Sequence, residues 1–493
     1  MAQAQTEKMP LTSEGGYTDE SDTSIELSGY HDESEISIDL SDDKWEIPFP
    51  SQKATFWRAA RTCWSWTRWT LLAILPRFMT GNLPATDKLG PTAYLDGLRG
   101  WAAYCVYNHH QITESASPAP AHPFLAAGGP QVALFFIISG YALSYKMTTS
   151  PPDPKTLASW LPSSIFRRWM RLFIPVLIAT FFSMILIYNR QMKIDSSVVA
   201  KPQPTLYLQI VDWLYNFMIV SNPFGTVDGY WKWDHVIALY GYQMWTIPVE
   251  FRGSIILFLY IAMTYRMTPK RRLLLIALTL PFLYYWDAAY VALFLYGYVL
   301  ALTAPISSPI LPTTTSPTQT WRSNLLTALS LTLLSLAAYW TFLQPASFPH
   351  LDPQHQYFPW NHLAPYFPAD RWPHERTTQI VPGFAALVLV FCMQRVPLLR
   401  RPFETSIMQY MGQISFGLYL MHVTVLEAVD QKRVQPWRAS HGKHGFWSGW
   451  AGWGVCYLFV LVIMISVADW FERVDRKVQG GVRWLWLRFS GGS

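Results

Sequence analysis

Apolar stretches long enough to cross, or nearly cross, a lipid bilayer recur along most of the chain, with polar loops between them. Only helices and closed barrels satisfy their backbone hydrogen bonds inside lipid. Stretches of this length therefore predict an all-α fold, a polytopic transmembrane helix bundle of about ten spans. The predicted spans are 93–113, 130–147, 172–189, 244–265, 273–286, 288–303, 324–343, 379–394, 408–428 and 450–469.

A further apolar stretch at 206–222 is ambiguous, and the charge of the loops helps to assign it. With ten spans and the N-terminus in the cytosol, the cytosolic loops contain Lys and Arg at a higher density than the outer loops, as the positive-inside rule requires. Ten spans also leave the basic C-terminus in the cytosol. We therefore expect 206–222 to be a re-entrant or interfacial segment within a long outer loop.

Composition supports a membrane protein, because 51% of the residues are hydrophobic and only 14% are charged, against about a quarter in soluble domains. The first 50 residues hold 13 acidic and 2 basic side chains, a net charge of −11. Since the whole chain carries +6, the remainder carries +17. This basic remainder suits anionic lipid surfaces or phosphate-bearing ligands, and no nucleic-acid-binding module is visible, so we expect no nucleic-acid partner.

These patterns divide the chain into four parts. No signal peptide is visible at the polar, acidic N-terminus. Four scattered cysteines without paired spacing are interpreted as small apolar fillers, so neither a disulfide nor a metal site is expected. The parts are a disordered acidic cytosolic tail (1–50), an amphipathic interfacial segment (51–90), the transmembrane domain (91–470) and a basic cytosolic tail (471–493).

The first predicted span carries charged and titratable side chains, which cost several kcal/mol in a membrane and normally persist for function. Arg99 and His110 are eleven residues apart, so they share one helix face about 16 Å from each other. Asp96 lies one turn before Arg99 and is expected to hold its guanidinium in place. His109 precedes His110, and which of the two faces the bundle is left open.

Three other groups of this kind lie in or beside later spans: the arginines at 167, 168 and 171, the carboxylate at 250 and the imidazole at 422. In the ten-span topology His110, Glu250 and His422 fall within one slab of about 10 Å in the outer half of the membrane. The arginines gather on the cytosolic side. This sorting indicates an anionic ligand bound on the cytosolic side, with its reactive end toward a base deeper in the bundle. Each residue taken alone also has a structural explanation, as an interfacial histidine or a topology anchor.

Several of these motifs resemble those of the acyltransferase-3 family of integral membrane acyltransferases, especially its fungal members. Tyr-Leu-Asp-Gly-Leu-Arg-Gly (94–100) is similar to the family's first helix, and Arg99 to His110 matches its Arg-x10-His signature. The other matching blocks, in the same order as in the family, are Phe-Phe-Ile-Ile-Ser-Gly-Tyr (135–141), Arg-Arg-Trp-Met-Arg-Leu-Phe-Ile-Pro (167–175), Trp-Thr-Ile-Pro-Val-Glu-Phe-Arg-Gly-Ser (245–254) and Ile-Ser-Phe-Gly-Leu-Tyr-Leu-Met-His (414–422).

The resemblance implies transfer of an acyl group, expected to be acetyl, from an acyl-CoA co-substrate to a hydroxyl, without a tightly bound cofactor. Imidazole titrates at about pH 6.5, so a neutral His110 is suited to take the proton of the acceptor hydroxyl. Glu250 would orient or charge-balance an imidazolium, His422 would serve either substrate, and His109 is the alternative base. The guanidinium groups of Arg99, Arg167, Arg168 and Arg171 are suited to the phosphates of coenzyme A.

The sequence alone leaves two alternatives open. A transporter or flippase of lipids or small metabolites also carries intramembrane Arg, Glu and His, although no inverted repeat is evident. A catalytically idle sensor is disfavoured, because all the motif residues are present. For an enzyme we expect a small, apolar, hydroxylated acceptor such as a fungal secondary metabolite. The expected location is the endoplasmic reticulum membrane, in contact with its lipids.

Overall fold

The computed structural model describes the chain between residues 75 and 489, with gaps. The described ranges are 75–114 (without 82, 87 and 88), 128–149, 153–193, 200–222, 240–304 (without 287), 374–442 and 445–489, with a few positions between 325 and 362. Every regular element in these ranges is helical, which confirms the predicted all-α class. Four parts of the chain lie wholly or mostly outside the described residues: the predicted acidic tail (1–50), most of the interfacial segment (51–90), most of the predicted span 324–343, and Cys63.

The longer helices follow one another with connections of very different length. They are α1 (Ala93–Glu114), α2 (Gly128–Thr149), α3 (Pro154–Tyr188), α4 (Leu206–Val220), α5 (Thr246–Thr264), α6 (Pro269–Tyr285), α7 (Ala289–Thr303), α8 (His374–Arg395), α9 (Ser406–Val425) and α10 (Trp450–Phe489). The shorter helical pieces are Tyr242–Trp245, Pro397–Arg400, Arg401–Glu404, a π-helix at Leu426–Val434, Gln435–His441 and Phe446–Ser448.

Side-chain caps determine where three of these helices begin. The Asp153 carboxylate accepts a hydrogen bond from the backbone N–H of Thr156 at the start of α3, where Pro154 occupies the first turn. Thr205 and Thr405 cap α4 and α9 in the same way. These local signals fix helix boundaries without help from the rest of the fold.

The described helices coincide with most predicted spans, but about ten spans are not confirmed. In the part of the chain that the structure describes, three stretches are long and apolar enough to cross a bilayer by themselves, namely Pro154–Tyr188, Tyr242–Thr264 and Trp450–Phe489. A fourth follows if the bent pair Ile380–Arg395 and Pro397–Glu404 counts as one span. The difference has a physical reason, because some helices lie inside the bundle: α7 has only 15 residues, and nearly all of them are buried against other helices.

Close helix contacts in the bundle depend on glycines. A Cβ atom at Gly100 of α1 would lie 2.5 Å from the backbone nitrogen of Gly412 on α9, and one at Gly412 would lie 2.4 Å from the carbonyl oxygen of Asp96. The backbones of α1 and α9 therefore touch, as small residues allow in membrane helices. Gly140 of α2 and Gly297 of α7 form a second contact of this kind. The glycines of the Asp-Gly-Leu-Arg-Gly motif thus bring Asp96 and Arg99 against α9.

Large apolar side chains cover the outer faces of the bundle. Leu259 and Met263 of α5 and Leu274 and Leu278 of α6 are all more than half exposed. Such a surface suits lipid rather than water. Helix α4, the segment predicted to be re-entrant or interfacial, also exposes apolar side chains and packs on α3, where the Trp213 indole N–H donates to the Thr180 hydroxyl at 3.0 Å.

The end of the chain continues a long helix. Residues 471–489, part of the predicted basic tail, form the last part of α10, in which Gln479 and Val482 are buried. Asp469 of α10 has a fully buried side chain that pairs with Arg77 at 2.7 Å and with Arg473 at 2.5 Å. This pairing ties the segment before α1 to α10. The three described cysteines are free and buried, as expected for apolar fillers.

Candidate active site

A cavity of about 560 Å³ lies among α1, α2, α3, α5, α9 and α10. Arg99, Arg168 and Arg171 line it together with Asp96 and Glu250. Val132 of α2, Thr246 of α5 and Tyr419 of α9 also line it. The volume is within the range of about 300–1,000 Å³ typical of small-molecule sites. Three of the four predicted anchor arginines therefore share one cavity.

Arg99 is held by α9 and by its own helix. Its Nε donates to the Ser415 hydroxyl at 2.9 Å, and one Nη donates to the Gly412 carbonyl at 3.1 Å. The same Nη lies 3.3 Å from the carboxylate of Asp96 one turn earlier, which confirms the predicted contact. Because Ser415 donates its own proton to the Gly412 carbonyl at 2.7 Å, its oxygen is oriented to accept from Arg99. The guanidinium therefore has a fixed position on the cavity wall.

Arg168 is the partner of the predicted carboxylate. Its Nη pairs with Glu250, and its Nε donates to the hydroxyl of Ser254 at 2.9 Å. Both members of the ion pair are nearly buried, with side chains 10% and 12% exposed. Glu250 and Ser254 are one turn apart on α5, so the spacing within the 245–254 motif presents both groups to the same guanidinium.

This pairing differs from the predicted grouping, in which Glu250 lies with His110 and His422. The carboxylate of Glu250 belongs instead to the arginine-lined part of the site, and its nearest opposite charge is Arg168. The predicted spans place Glu250 at a depth in the membrane, but they do not show toward which neighbouring helix its side chain on α5 points. Thr246, one turn earlier on α5, is the residue that reaches toward α9 and the histidines, through Tyr419.

His110 and His422 stand against each other where α1 meets α9, with ring centroids 5.1 Å apart. Nδ1 of His110 is 3.0 Å from the Tyr242 hydroxyl. Nδ1 of His422 is 2.7 Å from the backbone carbonyl of Tyr419. A carbonyl oxygen only accepts hydrogen bonds, so Nδ1 of His422 carries a proton and, in the neutral ring, Nε2 holds the lone pair.

The Nε2 atom of His422 is buried and has no hydrogen-bond partner among the described residues. Buried polar atoms are normally paired, and an unpaired one is a candidate for contact with a ligand or substrate. A π-helix at Leu426–Val434 begins four residues after His422, and such distortions are frequent at functional sites. This atom is therefore suited to accept a proton.

The structure also distinguishes the two neighbouring histidines. A Cβ atom at Gly128, the first residue of α2, would lie 2.8 Å from the His109 ring, so His109 packs on the start of α2. His110 faces α9 and His422 instead. The question that the sequence left open is thus answered in favour of His110 as the histidine that faces α9.

Tyr419 lies between the cavity and the histidine pair. Its hydroxyl is 2.9 Å from that of Thr246 and donates to the carbonyl of Gln243 at 3.0 Å. Its ring, which lines the cavity, is centred 5.7 Å from that of His422. A molecule in the cavity would therefore meet Tyr419 before it reached the imidazoles.

The arginine cluster in the middle of α3 has two roles. Arg171 lines the cavity beside Arg168. Arg167 does not line it, and its Nε donates to the Ser163 carbonyl of the same helix at 3.3 Å. Within the described residues no group of three metal-ligating side chains is found.

Ser254, Ser415 and Tyr419 lie within the sequence motifs, but their residue types alone predict no role for them. The two serines were detectable, since each follows a motif residue at helical spacing and carries a hydroxyl. Tyr242 gave no such signal, because its partner His110 lies 132 residues away in the chain. Contacts of that kind appear only when the helices are assembled.

Comparison with known proteins agrees with this geometry. The model of an acyltransferase domain family matches residues 92–469. An O-acetyltransferase from Phomopsis amygdali, PaAT-1, is 31% identical over 461 residues, which cover 85% of this chain and 89% of that protein. No solved structure matches the chain. The chain therefore belongs to the membrane-embedded acyltransferase-3 family and is an O-acyltransferase.

Proposed function

We propose that this enzyme moves an acetyl group from acetyl-CoA to a hydroxyl of a small, apolar acceptor. The observation that carries the proposal is one cavity that contains three arginines and is lined by Tyr419, whose ring lies next to the buried His422 and its neighbour His110. Such a space suits a long anionic donor whose reactive end points away from its charges. The donor would then lie along one path, which runs from the arginines in the cavity past Tyr419 to the histidines.

The donor end of the path consists of Arg99, Arg168 and Arg171. Guanidinium groups bind phosphate and carbonyl oxygens with directed hydrogen bonds, and two of these three are fixed by carboxylates and serines. The donor would find these groups already oriented, which reduces the entropy lost on binding. Arg167 points to its own helix and is the weakest of the four predicted ligands.

At the other end, the lone pair of His422 Nε2 would take the proton of the acceptor hydroxyl as its oxygen attacks the thioester carbonyl. The carbon–sulfur bond then breaks, the coenzyme leaves as a thiolate, and the imidazolium returns the proton to it. His110, which packs on His422 and contacts Tyr242, is the second titratable group at this point. We assign the pair, rather than either ring alone, as the catalytic base.

The acceptor is proposed to be a hydroxylated natural product; the name of the Phomopsis amygdali relative, an O-acetyltransferase, supports an oxygen as the atom that receives the acetyl group. An apolar acceptor partitions into lipid, and the exposed apolar faces of α5 and α6 suit the same environment. We further propose a multi-pass arrangement of about ten spans in the endoplasmic reticulum membrane. Short buried helices such as α7 would then be spans surrounded by protein.

The test uses the full chain purified in detergent, labelled acetyl-CoA and an extract of apolar metabolites. The wild type is expected to transfer label to an acceptor, whereas His422→Ala and His110→Ala should each lower the rate by about 10²- to 10⁴-fold. Donor binding should stay unchanged in both variants. His441→Ala, which alters an exposed histidine outside the cavity, is the matched control.

Vectorial transport has no meaning in detergent, so product formation there separates an enzyme from a transporter. Equal transfer by the wild type and both histidine variants would remove the pair from catalysis. Absence of any labelled product with the wild type, across acceptor classes, would contradict the acetyltransferase itself.

A further inference from the structure

Gln243 lies directly behind the cavity wall, in the short helical piece before α5. The hydroxyl of Tyr419 donates to the backbone carbonyl of Gln243 at 3.0 Å, and the hydroxyl of Thr246 lies 3.3 Å from the same oxygen. Tyr419 and Thr246 both line the cavity, whereas Gln243 does not. A molecule that passes Tyr419 on its way out of the cavity therefore comes next to Gln243.

The side chain of Gln243 lies on the same turn of α9 as the proposed base. Its amide nitrogen donates to the backbone carbonyl of Leu420 at 2.7 Å. Nδ1 of His422 bonds to the carbonyl of Tyr419, the residue before Leu420. Successive residues rise only about 1.5 Å along an α-helix, so the two bonds hold the amide and the imidazole at the same level of α9.

The amide oxygen of Gln243 is buried without a donor. The residue is 2% exposed, and its Oε1 has no hydrogen-bond partner among the described residues. Because a carbonyl only accepts, the bond to Leu420 fixes the amide nitrogen on α9 and leaves the oxygen as the free end. Gly241 lies beside this oxygen, since a Cβ atom there would be 3.2 Å from it. Buried polar atoms are normally paired, so this oxygen is suited to accept a hydrogen bond from a ligand.

The acyl donor carries a matching group. In acetyl-CoA only two carbon atoms separate the thioester sulfur from an amide N–H. A thioester held next to Nε2 of His422 therefore brings this N–H to the same turn of α9. The acceptor hydroxyl already has a partner there, because it donates to Nε2 of His422 in the proposed reaction.

Building on the acetyl-CoA donor proposed above, we infer that Gln243 binds the donor, with its Oε1 accepting a hydrogen bond from the amide N–H nearest the sulfur. The bond to Leu420 orients the oxygen before the donor arrives, which reduces the entropy lost on binding. The enzyme thus recognises the arm of the coenzyme by its amide, independently of the phosphates that the arginines are suited to bind. The contact also holds the thioester in line with the histidine pair.

The test is equilibrium binding of two donors to the full chain in detergent. One is acetyl-CoA, and the other is an analogue in which an ester oxygen replaces the N–H of the amide nearest the sulfur. The wild type is expected to bind the analogue about tenfold more weakly, because the buried oxygen of Gln243 is then left without a donor.

Gln243→Met has a side chain of similar length without an amide. It should bind acetyl-CoA about tenfold more weakly than the wild type does, and it should bind the analogue at least as tightly as the wild type does. The two changes together then cost no more than either one alone, which is the pattern of two groups in direct contact.

Gln394→Met is the matched control. Gln394 of α8 is also a buried glutamine whose amide donates to a helix carbonyl, that of Leu300 at 3.3 Å, and it does not line the cavity. This variant should keep the tenfold difference between the two donors that the wild type shows.

Equal affinity of the wild type for the two donors would overturn the inference, and that comparison needs no variant. Equal weakening of both donors in Gln243→Met would also overturn it, since the amide would then act only on the fold. Failure of the proposed function looks different, because the wild type would show no saturable binding of acetyl-CoA.

Discussion

At the scale of single residues, the fold determines which atom of each functional group faces the site. The carbonyl of Tyr419 fixes the proton of His422 on Nδ1 and leaves Nε2 as the acceptor. The contact between Asp96 and Arg99 was predictable, because it joins residues one turn apart on one helix. The bond from Arg99 to Ser415 was not, since 316 residues separate its partners.

The pairing of Glu250 with Arg168 leads to a prediction about donor binding. Ser254→Ala removes the hydroxyl that accepts from Arg168 Nε, and Glu250→Gln removes the opposite charge. We expect acetyl-CoA affinity to fall about three- to tenfold in the first variant, and further in the second, as charge-assisted hydrogen bonds are lost. Equilibrium binding in detergent measures both values.

Ser466→Ala is the matched control, because that hydroxyl is exposed and bonds only to the Val462 carbonyl of its own helix among the contacts described. If Glu250 instead acted on the imidazoles, its variant would keep donor affinity and lose label transfer. That pattern would support the role predicted from sequence, in which Glu250 orients or charge-balances an imidazolium.

At the scale of helices, glycine spacing determines how closely α1 and α9 approach. Local sequence predicted the helices themselves well, since apolar runs and caps act within a few residues. It did not show which helices touch. The glycines of the 94–100 motif have a direct explanation only in the assembled pair, where Gly100 faces Gly412 without space for a side chain.

Gly100→Ala is therefore expected to destabilise the bundle, although alanine is the better helix former. Its Cβ would lie 2.5 Å from α9 backbone, and overpacking of this kind costs about 1–3 kcal/mol. The thermal midpoint of the purified chain in detergent should fall. Gly454→Ala of α10 has open space around its Cβ and should leave the midpoint unchanged or raise it. Equal midpoints in the two variants would contradict the contact.

At the scale of the whole molecule, one buried carboxylate joins the two ends of the described chain. Asp469 receives Arg77 from the segment before α1, Arg473 from its own helix, and the hydroxyl of Tyr410 from α9 at 3.1 Å. Both ends supply cavity wall next to this cluster. The cluster thus holds in place both segments that complete the cavity wall, so this part of the wall forms only when the bundle is folded.

Asp469→Asn is expected to cost about 3–5 kcal/mol, because it leaves two arginines side by side without their buried partner. It should also loosen residues 84–86, which lie in the same segment before α1 as Arg77. In a Cys63→Ser background, maleimide labelling of Ala85→Cys would then become faster. Lys477→Gln provides the control for a change of charge on the same helix. Equal labelling rates in both would show that Asp469 does not hold the segment.

The sequence by itself determined an apolar, all-helical chain, the turn-to-turn contact of Asp96 with Arg99 and the motifs of the family. These features depend on composition and on spacing within one helix, which the order of residues specifies directly. Only the tertiary structure decided that His110 rather than His109 meets His422, that Glu250 belongs to Arg168, and that the two chain ends complete the cavity. Those contacts join residues far apart in the chain, and they arise from close packing of helix backbones, which no local pattern encodes.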